Sequence, residues 1–141
     1  METIFDIATL NFPRILDDRG NLTFVEHERH VPFPIARVYW IYDVPGGESR
    51  GSHAYKSLQE CIIAISGSFD VYLTDGSAEK MITLNRAYYG LYVPPMIWRT
   101  MKTFSTNAVA LVLASAPYNP EDYIRDYNAY ITLRKSANNG A

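Results

Sequence analysis

The chain has 141 residues, and its 13 basic and 15 acidic side chains leave a formal charge of −2, which argues against nucleic acid as the main partner. No apolar run approaches the ~18 residues of a membrane span, and the N-terminal segment lacks the basic residues of a signal peptide. A chain of this length fits one domain, which we place at residues 1–141. The single cysteine, Cys61, excludes an internal disulfide and favours a reduced, cytoplasmic setting.

Short runs of β-branched and aromatic residues follow one another along most of the chain, separated by Gly, Pro, Asn and Asp. They predict strands at 8–12, 22–26, 37–44, 50–55, 57–66, 69–74, 80–84, 88–93, 97–104 and 108–115. Asp75-Gly76 signals a hairpin between two of these strands. The near-continuous apolar character of 108–115 predicts a strand that is buried on both faces.

Only the C-terminal part has the spacing of a helix. Asn119 can cap its N-terminus, and Pro120 suits the first helical position. Three tyrosines then recur at spacings of four and three, at Tyr123, Tyr127 and Tyr130. We predict a helix that ends near Arg134, followed by a frayed tail at 136–141. About ten short strands with one terminal helix predict an all-β sandwich or barrel of antiparallel sheets, with a ligand in its open mouth.

One of the three histidines lies in the fourth predicted strand. Because side chains alternate along a strand, His53 and Tyr55 project to the same face. An imidazole beside a phenol can transfer protons near neutral pH, which makes this pair a candidate catalytic group. The alternative is structural, with His53 capping a turn and Tyr55 a half-buried strand aromatic. The same alternation gives one face of the third strand to Arg37, Tyr39 and Ile41.

The spacing of these residues resembles that of the cupin barrels. The first cupin motif is H-x-H, three or four residues, Glu, six residues and Gly, and it is matched in spacing by His53, Tyr55, Glu60 and Gly67. The second motif, P-x-G-x-x-H, is matched in spacing by 94–99, with Arg99 where the histidine would be. The resemblance implies a cupin or jelly-roll barrel.

The arginine in the second motif bears on metal binding. A catalytic divalent metal needs about three protein ligands of imidazole or carboxylate type, and a guanidinium is permanently cationic and cannot ligate. We therefore expect a cupin without a metal or other cofactor, in which Arg99 favours a bound anion. The alternative for Arg99 is an exposed strand residue, and the alternative for Arg50 is a surface ion pair with Glu48.

Nearly the whole chain resembles the nucleotide-sugar 3,4-ketoisomerases, metal-free cupins that act on dTDP-4-keto-6-deoxyglucose. The matching segments are 18–22, 37–39, 50–56, 67–68, 75–76, 90–95 and 122–125. Arg50-Gly51-Ser52-His53 is also similar to the R-G-x-H motif of the dTDP-4-keto sugar 3,5-epimerases. The chain departs from the ketoisomerases at Tyr55, where they commonly have a second histidine.

The resemblance implies an isomerase in which His53 takes the proton from C3 of the sugar and delivers it to C4. Arg99, with Arg19 as a second candidate, would stabilise the oxyanion, and Tyr39 or Tyr55 would relay the hydroxyl proton. The product would be a dTDP-3-keto-6-deoxyhexose for deoxyamino sugars of surface polysaccharide. Contacts to the dTDP-linked keto sugar are expected from Arg19, Arg37, Arg50, Lys56 and Glu60. Glu60 has the alternative role of pairing with a neighbouring cation or fixing His53.

Other functions stay open at this point. The chain could be a 3,5-epimerase, and the tyrosine at position 55 also leaves room for a non-catalytic nucleotide-sugar-binding cupin. A metal-dependent cupin oxygenase is a further possibility that metal analysis would test. Open sandwiches present strand edges that pairing between subunits would cover, and we therefore expect a homodimer.

Overall fold

Two antiparallel five-stranded sheets dominate the structure, a computed structural model that describes residues 1–139. In spatial order, the first sheet contains β1 (Ala8–Asn11), β9 (Tyr89–Val93), β6 (Glu60–Ser66), β11 (Val109–Ala114) and β4 (Arg37–Ile41). The second contains β12 (Tyr123–Ile124), β5 (Arg50–Tyr55), β10 (Trp98–Lys102), β7 (Phe69–Thr74) and β8 (Glu79–Leu84). The predicted all-β, jelly-roll-like architecture of antiparallel strands is confirmed.

Strand β7 shows why these segments form a packed sheet. Phe69, Val71 and Leu73 are buried, whereas the alternate residues Asp70 and Tyr72 are half-buried. This period of two fits a pleated strand with one face on the core. Strands β7 and β8 pair as the predicted hairpin.

The central strands of the first sheet, β6 and β11, contribute side chains to apolar clusters on both faces. Between the two sheets lies an apolar core whose members include Ile62, Leu73, Leu91, Met101 and Val112. A second apolar cluster covers the central part of the outer face of the first sheet, where Phe12, Val31 and Phe33 pack against Cys61, Ile63 and Leu113. Strand β11 therefore contributes Val112 to one cluster and Leu113 to the other, which confirms its predicted burial on both faces.

The strand predicted at 22–26 is shorter than expected. Strand β3 contains only Leu22–Thr23, and it pairs with an unpredicted β2 (Arg14–Ile15) in a hairpin. The following loop finds partners outside any sheet: His30 Nδ1 accepts from the Glu26 backbone N–H at 2.8 Å, and His27 Nδ1 accepts from that of Ile35 at 3.0 Å. These two histidines thus hold a loop together.

The predicted helix from 119 to 134 is wrong in its first part. Asn119 caps only a short 3₁₀ turn, Pro120–Asp122, and the next two residues form β12 beside β5. The cause is tertiary, because the Asp122 carboxylate accepts hydrogen bonds from the backbone N–H groups of Ser57 and Leu58 at 3.0 and 3.1 Å. Those bonds hold the segment against β5 instead of leaving it free to coil.

The α-helix α1 runs over Tyr127–Asn139 and ends beyond the predicted Arg134. The predicted frayed tail is therefore helical up to residue 139, and its last two positions lie outside the described residues. No helix in the part of the chain that the structure describes has the length and apolar character needed to cross a bilayer.

Helix α1 is tied to the loop that leads into β10. The Tyr130 hydroxyl lies 2.8 Å from the carbonyl oxygen of Met96, and Arg134 Nη1 donates to the same oxygen at 3.0 Å. Met96 has a φ of 63°, a left-handed conformation that is strained for a non-glycine residue. The helix thus fixes the turn that sets the position of Arg99, three residues later.

Candidate active site

One end of the space between the sheets opens into a cavity of about 330 Å³. Its lining includes six of the residues predicted from the sequence, namely Arg37, Tyr39, Arg50, His53, Tyr55 and Arg99. Three larger depressions, of about 620, 650 and 740 Å³, have no histidine among the described residues that line them. The cavity at the open end is therefore the place where the predicted chemistry could occur.

A buried ion pair forms the floor of this region. Arg99 Nε donates to Glu60 Oε1 at 2.6 Å and Arg99 Nη2 donates to Glu60 Oε2 at 3.0 Å, with both side chains 1% exposed. Arg99 Nη1 also donates to the Gly51 carbonyl oxygen at 2.7 Å, and Nη2 donates to the Tyr39 hydroxyl at 3.1 Å. Although burial alone would lower the pKa of Arg99, the Glu60 carboxylate raises it, so the guanidinium is a fixed cation.

These contacts decide between the readings left open for three residues. Arg99 is fully buried, so the reading as an exposed strand residue is wrong. Glu60 lies behind Arg99 and pairs with it, as the alternative for that residue anticipated, and it does not line the cavity. Among the described residues, Arg50 makes no ion pair with Glu48.

His53 lies opposite Arg99 in the pairing of β5 with β10. Its ring contacts those of Tyr55 and Tyr123, with centroid distances of 4.7 and 4.9 Å. Burial, helped by the positive charges of Arg99 and Arg125, lowers the pKa of His53 to about 2. Its buried Nε2 has no hydrogen-bond partner among residues 1–139. The imidazole is therefore neutral at pH 7 and has a nitrogen free to accept a proton.

Two phenols in the cavity are held in the protonated form. Burial and the Glu60 carboxylate raise the pKa of Tyr39 to about 12, and its hydroxyl donates to Glu60 Oε2 at 3.3 Å. The same two causes raise the pKa of Tyr55 well above its usual range. The Tyr55 hydroxyl donates to that of Tyr123 at 3.4 Å. At neutral pH both groups are therefore hydrogen-bond donors that can pass on a proton.

Positive charge surrounds the cavity mouth. Arg37 and Arg50 line it, together with Arg125, whose guanidinium lies 4.1 Å from the centroid of the Tyr123 ring. Two nitrogens of Arg37, Nε and Nη2, are buried without a partner in the described part of the chain. Guanidinium groups with free donors suit the oxygens of phosphate or of an oxyanion.

Besides Glu60, the structure places two more of the predicted substrate-binding residues outside this cavity. The Arg19 side chain is 91% exposed at the tip of the β2–β3 hairpin, where it pairs with Asp17 at 2.9 Å. Lys56 follows the last residue of β5, is exposed, and does not line the cavity. This placement does not support contacts of either residue with a substrate in the cavity of its own chain.

Sequence reasoning missed Tyr123 and Arg125 as site residues. Both line the cavity, but the spacing of Tyr123 was interpreted as the packing face of a helix. The segment 122–125 does contribute to the family resemblance, and that signal could have found them. Their approach to β5 depends on the Asp122 hydrogen bonds, which are not visible in local periodicity.

Comparison with known proteins agrees with this geometry. A family model described as FdtA: WxcM-like, C-terminal matches residues 5–135. A TDP-4-oxo-6-deoxy-alpha-D-glucose-3,4-oxoisomerase from Aneurinibacillus thermoaerophilus is 44% identical over 121 residues, which cover 86% of this chain and 87% of that protein. The chain belongs to the FdtA family. The predicted enzyme class, an isomerase, is confirmed by this membership.

Solved structures of sugar 3,4-ketoisomerases extend the match to three dimensions. QdtA, a sugar 3,4-ketoisomerase from Thermoanaerobacterium thermosaccharolyticum in complex with TDP, is 40% identical, with a TM-score of 0.92 over 95% of this chain and 98% of that chain. A histidine-to-asparagine mutant of QdtA in complex with TDP-4-keto-6-deoxyglucose is 39% identical, with a TM-score of 0.92 over 94% of this chain and 96% of that chain.

A more distant structure bears on the epimerase alternative. ChmJ, a 3'-monoepimerase from Streptomyces bikiniensis in complex with dTDP-quinovose, is 15% identical, with a TM-score of 0.73 over 84% of this chain and 68% of that chain. This likeness shows a shared fold alone.

Proposed function

We propose that this protein is a 3,4-ketoisomerase that converts dTDP-4-keto-6-deoxy-D-glucose into a dTDP-3-keto-6-deoxyhexose. The observation that carries the proposal is the neutral imidazole of His53, with its unpartnered Nε2, beside the buried cation of Arg99. The relatives support the substrate, since the protein from A. thermoaerophilus is named for TDP-4-oxo-6-deoxy-alpha-D-glucose. We place the reaction in deoxyamino-sugar biosynthesis for surface polysaccharide, in the cytoplasm.

His53 is the base in this mechanism. It takes the proton from C3, the electrons of the C3–H bond form a C3=C4 double bond, and the carbonyl oxygen at C4 becomes an enediol oxygen. In the second half, the hydroxyl at C3 loses its proton and becomes the carbonyl, while C4 takes the proton back from His53. His53 is neutral before the first step, as a base must be, and the negative charge that develops on the sugar oxygen offsets the burial that opposes its protonation.

The groups around His53 handle the charge and the second proton. Arg99 and Tyr39, already hydrogen-bonded to each other at 3.1 Å, stabilise the oxygen that becomes negative. Tyr55 relays the hydroxyl proton between the oxygens at C3 and C4. Arg37 and Arg50 hold the diphosphate by charge-assisted hydrogen bonds. This scheme uses side chains alone and no metal, which metal analysis of the purified protein would test.

The proposed function is tested by following the position of the carbonyl group and of deuterium in the product. The protein is incubated with dTDP-4-keto-6-deoxyglucose in heavy water, and the product is read by NMR. A carbonyl at C3 is the expected result, whereas deuterium at C5 with the carbonyl still at C4 identifies a 3,5-epimerase. No conversion, together with binding of dTDP by fluorescence titration, identifies the non-catalytic binder for which Tyr55 leaves room.

The role of His53 is tested by His53→Asn, with His27→Asn as the matched control. His27 is exposed and lies outside the cavity. We expect His53→Asn to fold and to lose about 1,000-fold or more in kcat, within the range of general-base catalysis. The control should keep the wild-type rate. A folded His53→Asn protein with near wild-type turnover removes His53 from the mechanism.

We also propose that the protein is a homodimer. Val38 and Trp40 on the outer face of β4 are 44% and 58% exposed, and β4 is the edge of its sheet in the described residues. A second copy that covers this apolar edge would satisfy both features. In such a dimer we assign Arg19, exposed at a hairpin tip, to the cavity of the other copy.

Sedimentation at several concentrations tests the dimer, and a monomer at all of them contradicts it. Mixing Arg19→Ala with His53→Asn tests the exchange of Arg19 between copies. If Arg19 serves the other subunit, mixed dimers contain one intact site and turnover rises above that of either variant alone. If the mixture is shown to exchange subunits and turnover still does not rise, Arg19 does not act in the site of the other subunit.

A further inference from the structure

Tyr123 lies beside the residue at which this chain departs from the ketoisomerase pattern. Tyr55 stands where those enzymes commonly have a second histidine, and it pairs directly with Tyr123 across β5 and β12. The two ring centroids are 4.7 Å apart and the hydroxyl oxygens 3.4 Å apart. Both rings also contact His53, at 4.7 and 4.9 Å, so the three aromatic rings form a triangle at the cavity wall.

A tyrosine at position 55 relays protons under a constraint that a histidine does not have. A histidine can hold an extra proton near neutral pH, whereas a buried phenol can neither gain a proton nor remain ionised. Tyr55 must therefore give and take a proton in the same step, and its oxygen gains partial negative charge as it does so. A phenol oxygen has two lone pairs. One can accept from the sugar, and the other is free for a protein donor.

The segment that carries Tyr123 is held firmly in place. The neighbouring Asp122 carboxylate also accepts from the Ser57 hydroxyl at 2.8 Å, and the Asp122 carbonyl oxygen accepts from the Lys56 backbone N–H at 2.9 Å. The Arg125 guanidinium lies over the Tyr123 ring, 4.1 Å from its centroid. A ring fixed in this way can keep its hydroxyl next to that of Tyr55 at little entropic cost.

We propose that Tyr123 is a positioning residue for the relay, a role that rests on the ketoisomerase function proposed above. Tyr55 takes the proton of the C3 hydroxyl and gives its own proton to the oxygen at C4, while the Tyr123 hydroxyl turns to donate to the Tyr55 oxygen. One O–H bond breaks at C3 and one forms at C4. Tyr55 ends with a different hydrogen, and Tyr123 keeps its own.

The experiment compares Tyr123→Phe, Tyr55→Phe and the double variant, with Tyr118→Phe as the control. Tyr118 is 59% exposed, its ring also packs on Tyr123 at 5.7 Å, and it does not line the cavity. We expect Tyr123→Phe to lower kcat about 10-fold, with KM little changed, as for loss of one hydrogen bond to developing charge. Tyr118→Phe should keep the wild-type kcat.

The double variant separates a relay from simple packing. If Tyr123 acts through Tyr55, the double variant is no slower than Tyr55→Phe, whereas independent structural losses would multiply. The solvent deuterium isotope effect on kcat should also be smaller in Tyr123→Phe than in the wild type, because one moving hydroxyl is gone. Unfolding midpoints measured in parallel should be the same for all four variants.

The outcomes distinguish the relay from the function on which it rests. A wild-type protein that does not move the carbonyl overturns the proposed function and the relay with it. An active wild type with a fully active Tyr123→Phe variant overturns the relay alone. Losses that multiply in the double variant, or an unchanged isotope effect, also overturn it.

Discussion

The two ends of the space between the sheets are built from the same strands and differ sharply in chemistry. Strand β6 carries Glu60 at the cavity end and Ile62 in the apolar core. Strand β10 likewise carries Arg99 and Met101. In each case the two residues are one alternation apart, about 7 Å along the strand. On each strand, two neighbouring side chains on the inward face therefore belong to different environments. One forms the buried ion pair, and the next packs in the apolar core.

This contrast shows that the strands which form the apolar core can also carry the active-site side chains, without an additional helix or strand. The apolar end supplies stability through burial, and it holds the strands that aim the polar side chains. The polar end supplies little net stability, because the cost of burying Glu60 and Arg99 offsets much of their attraction. It provides a fixed cation and two protonated phenols. The predictions below alter one end at a time.

The largest effect on stability should come from breaking the ion pair. Glu60→Ala leaves the Arg99 guanidinium buried, at 1% exposure, without its carboxylate. We expect the free energy of unfolding to fall by about 3–5 kcal/mol, measured by chemical denaturation. The double variant Glu60→Leu with Arg99→Met removes both charges and should be closer to the wild type. A double variant as unstable as Glu60→Ala would contradict this account of the polar end.

At the apolar end, Ile62→Ala should cost about 3 kcal/mol, because it opens a cavity beside a fully buried side chain. The kcat of the folded protein at 25 °C should stay within a few-fold of wild type, since Ile62 does not line the cavity. Denaturation and steady-state kinetics on the same sample check both parts. A large drop in kcat with a small drop in stability would mean that the two ends are not separable.

Gly51 lies at the cavity end, where its backbone contacts Arg99. Its φ is +71°, and a Cβ added there would collide with Arg99 Nη1. Gly47 is the matched control, because its φ is +85° and a Cβ would meet no atom within 4 Å. Both changes to Ala should cost about 1–2 kcal/mol from backbone strain. Only Gly51→Ala should also lower kcat, by about 100-fold, as the guanidinium is displaced. Equal kcat values for the two variants would refute the role of this contact.

The smallest effect is a pH dependence that comes from His53. Its pKa is about 2 in the folded protein and near 6.5 when unfolded, so below pH 6.5 the unfolded chain binds a proton that the folded chain does not. Stability is therefore lost as the pH falls, by up to about 1.4 kcal/mol per pH unit. Denaturation of the wild type and of His53→Asn at pH 7, 6 and 5 measures the difference. Parallel curves for the two proteins would show that His53 does not contribute.

Residue pattern alone determined much of this protein. Alternation placed Arg37, Tyr39 and Ile41 on one face of β4, and all three are less exposed than Val38 and Trp40 between them. Motif spacing selected His53, Tyr55, Glu60 and Arg99, which the structure brings together around one end of the sheets. These successes have a common reason, since the side of a strand to which a residue points is fixed by its local register.

Tertiary structure decided the rest. The Glu60–Arg99 pair joins residues that are 39 apart in the chain, and it depends on the packing of one sheet against the other. The region around Tyr123 has helical spacing but forms a strand, because Asp122 bonds to residues 64 and 65 positions away. Arg19 matches a motif yet lies on an exposed hairpin. Periodicity describes the faces of an element, whereas the partner of each face is set by long-range hydrogen bonds and burial.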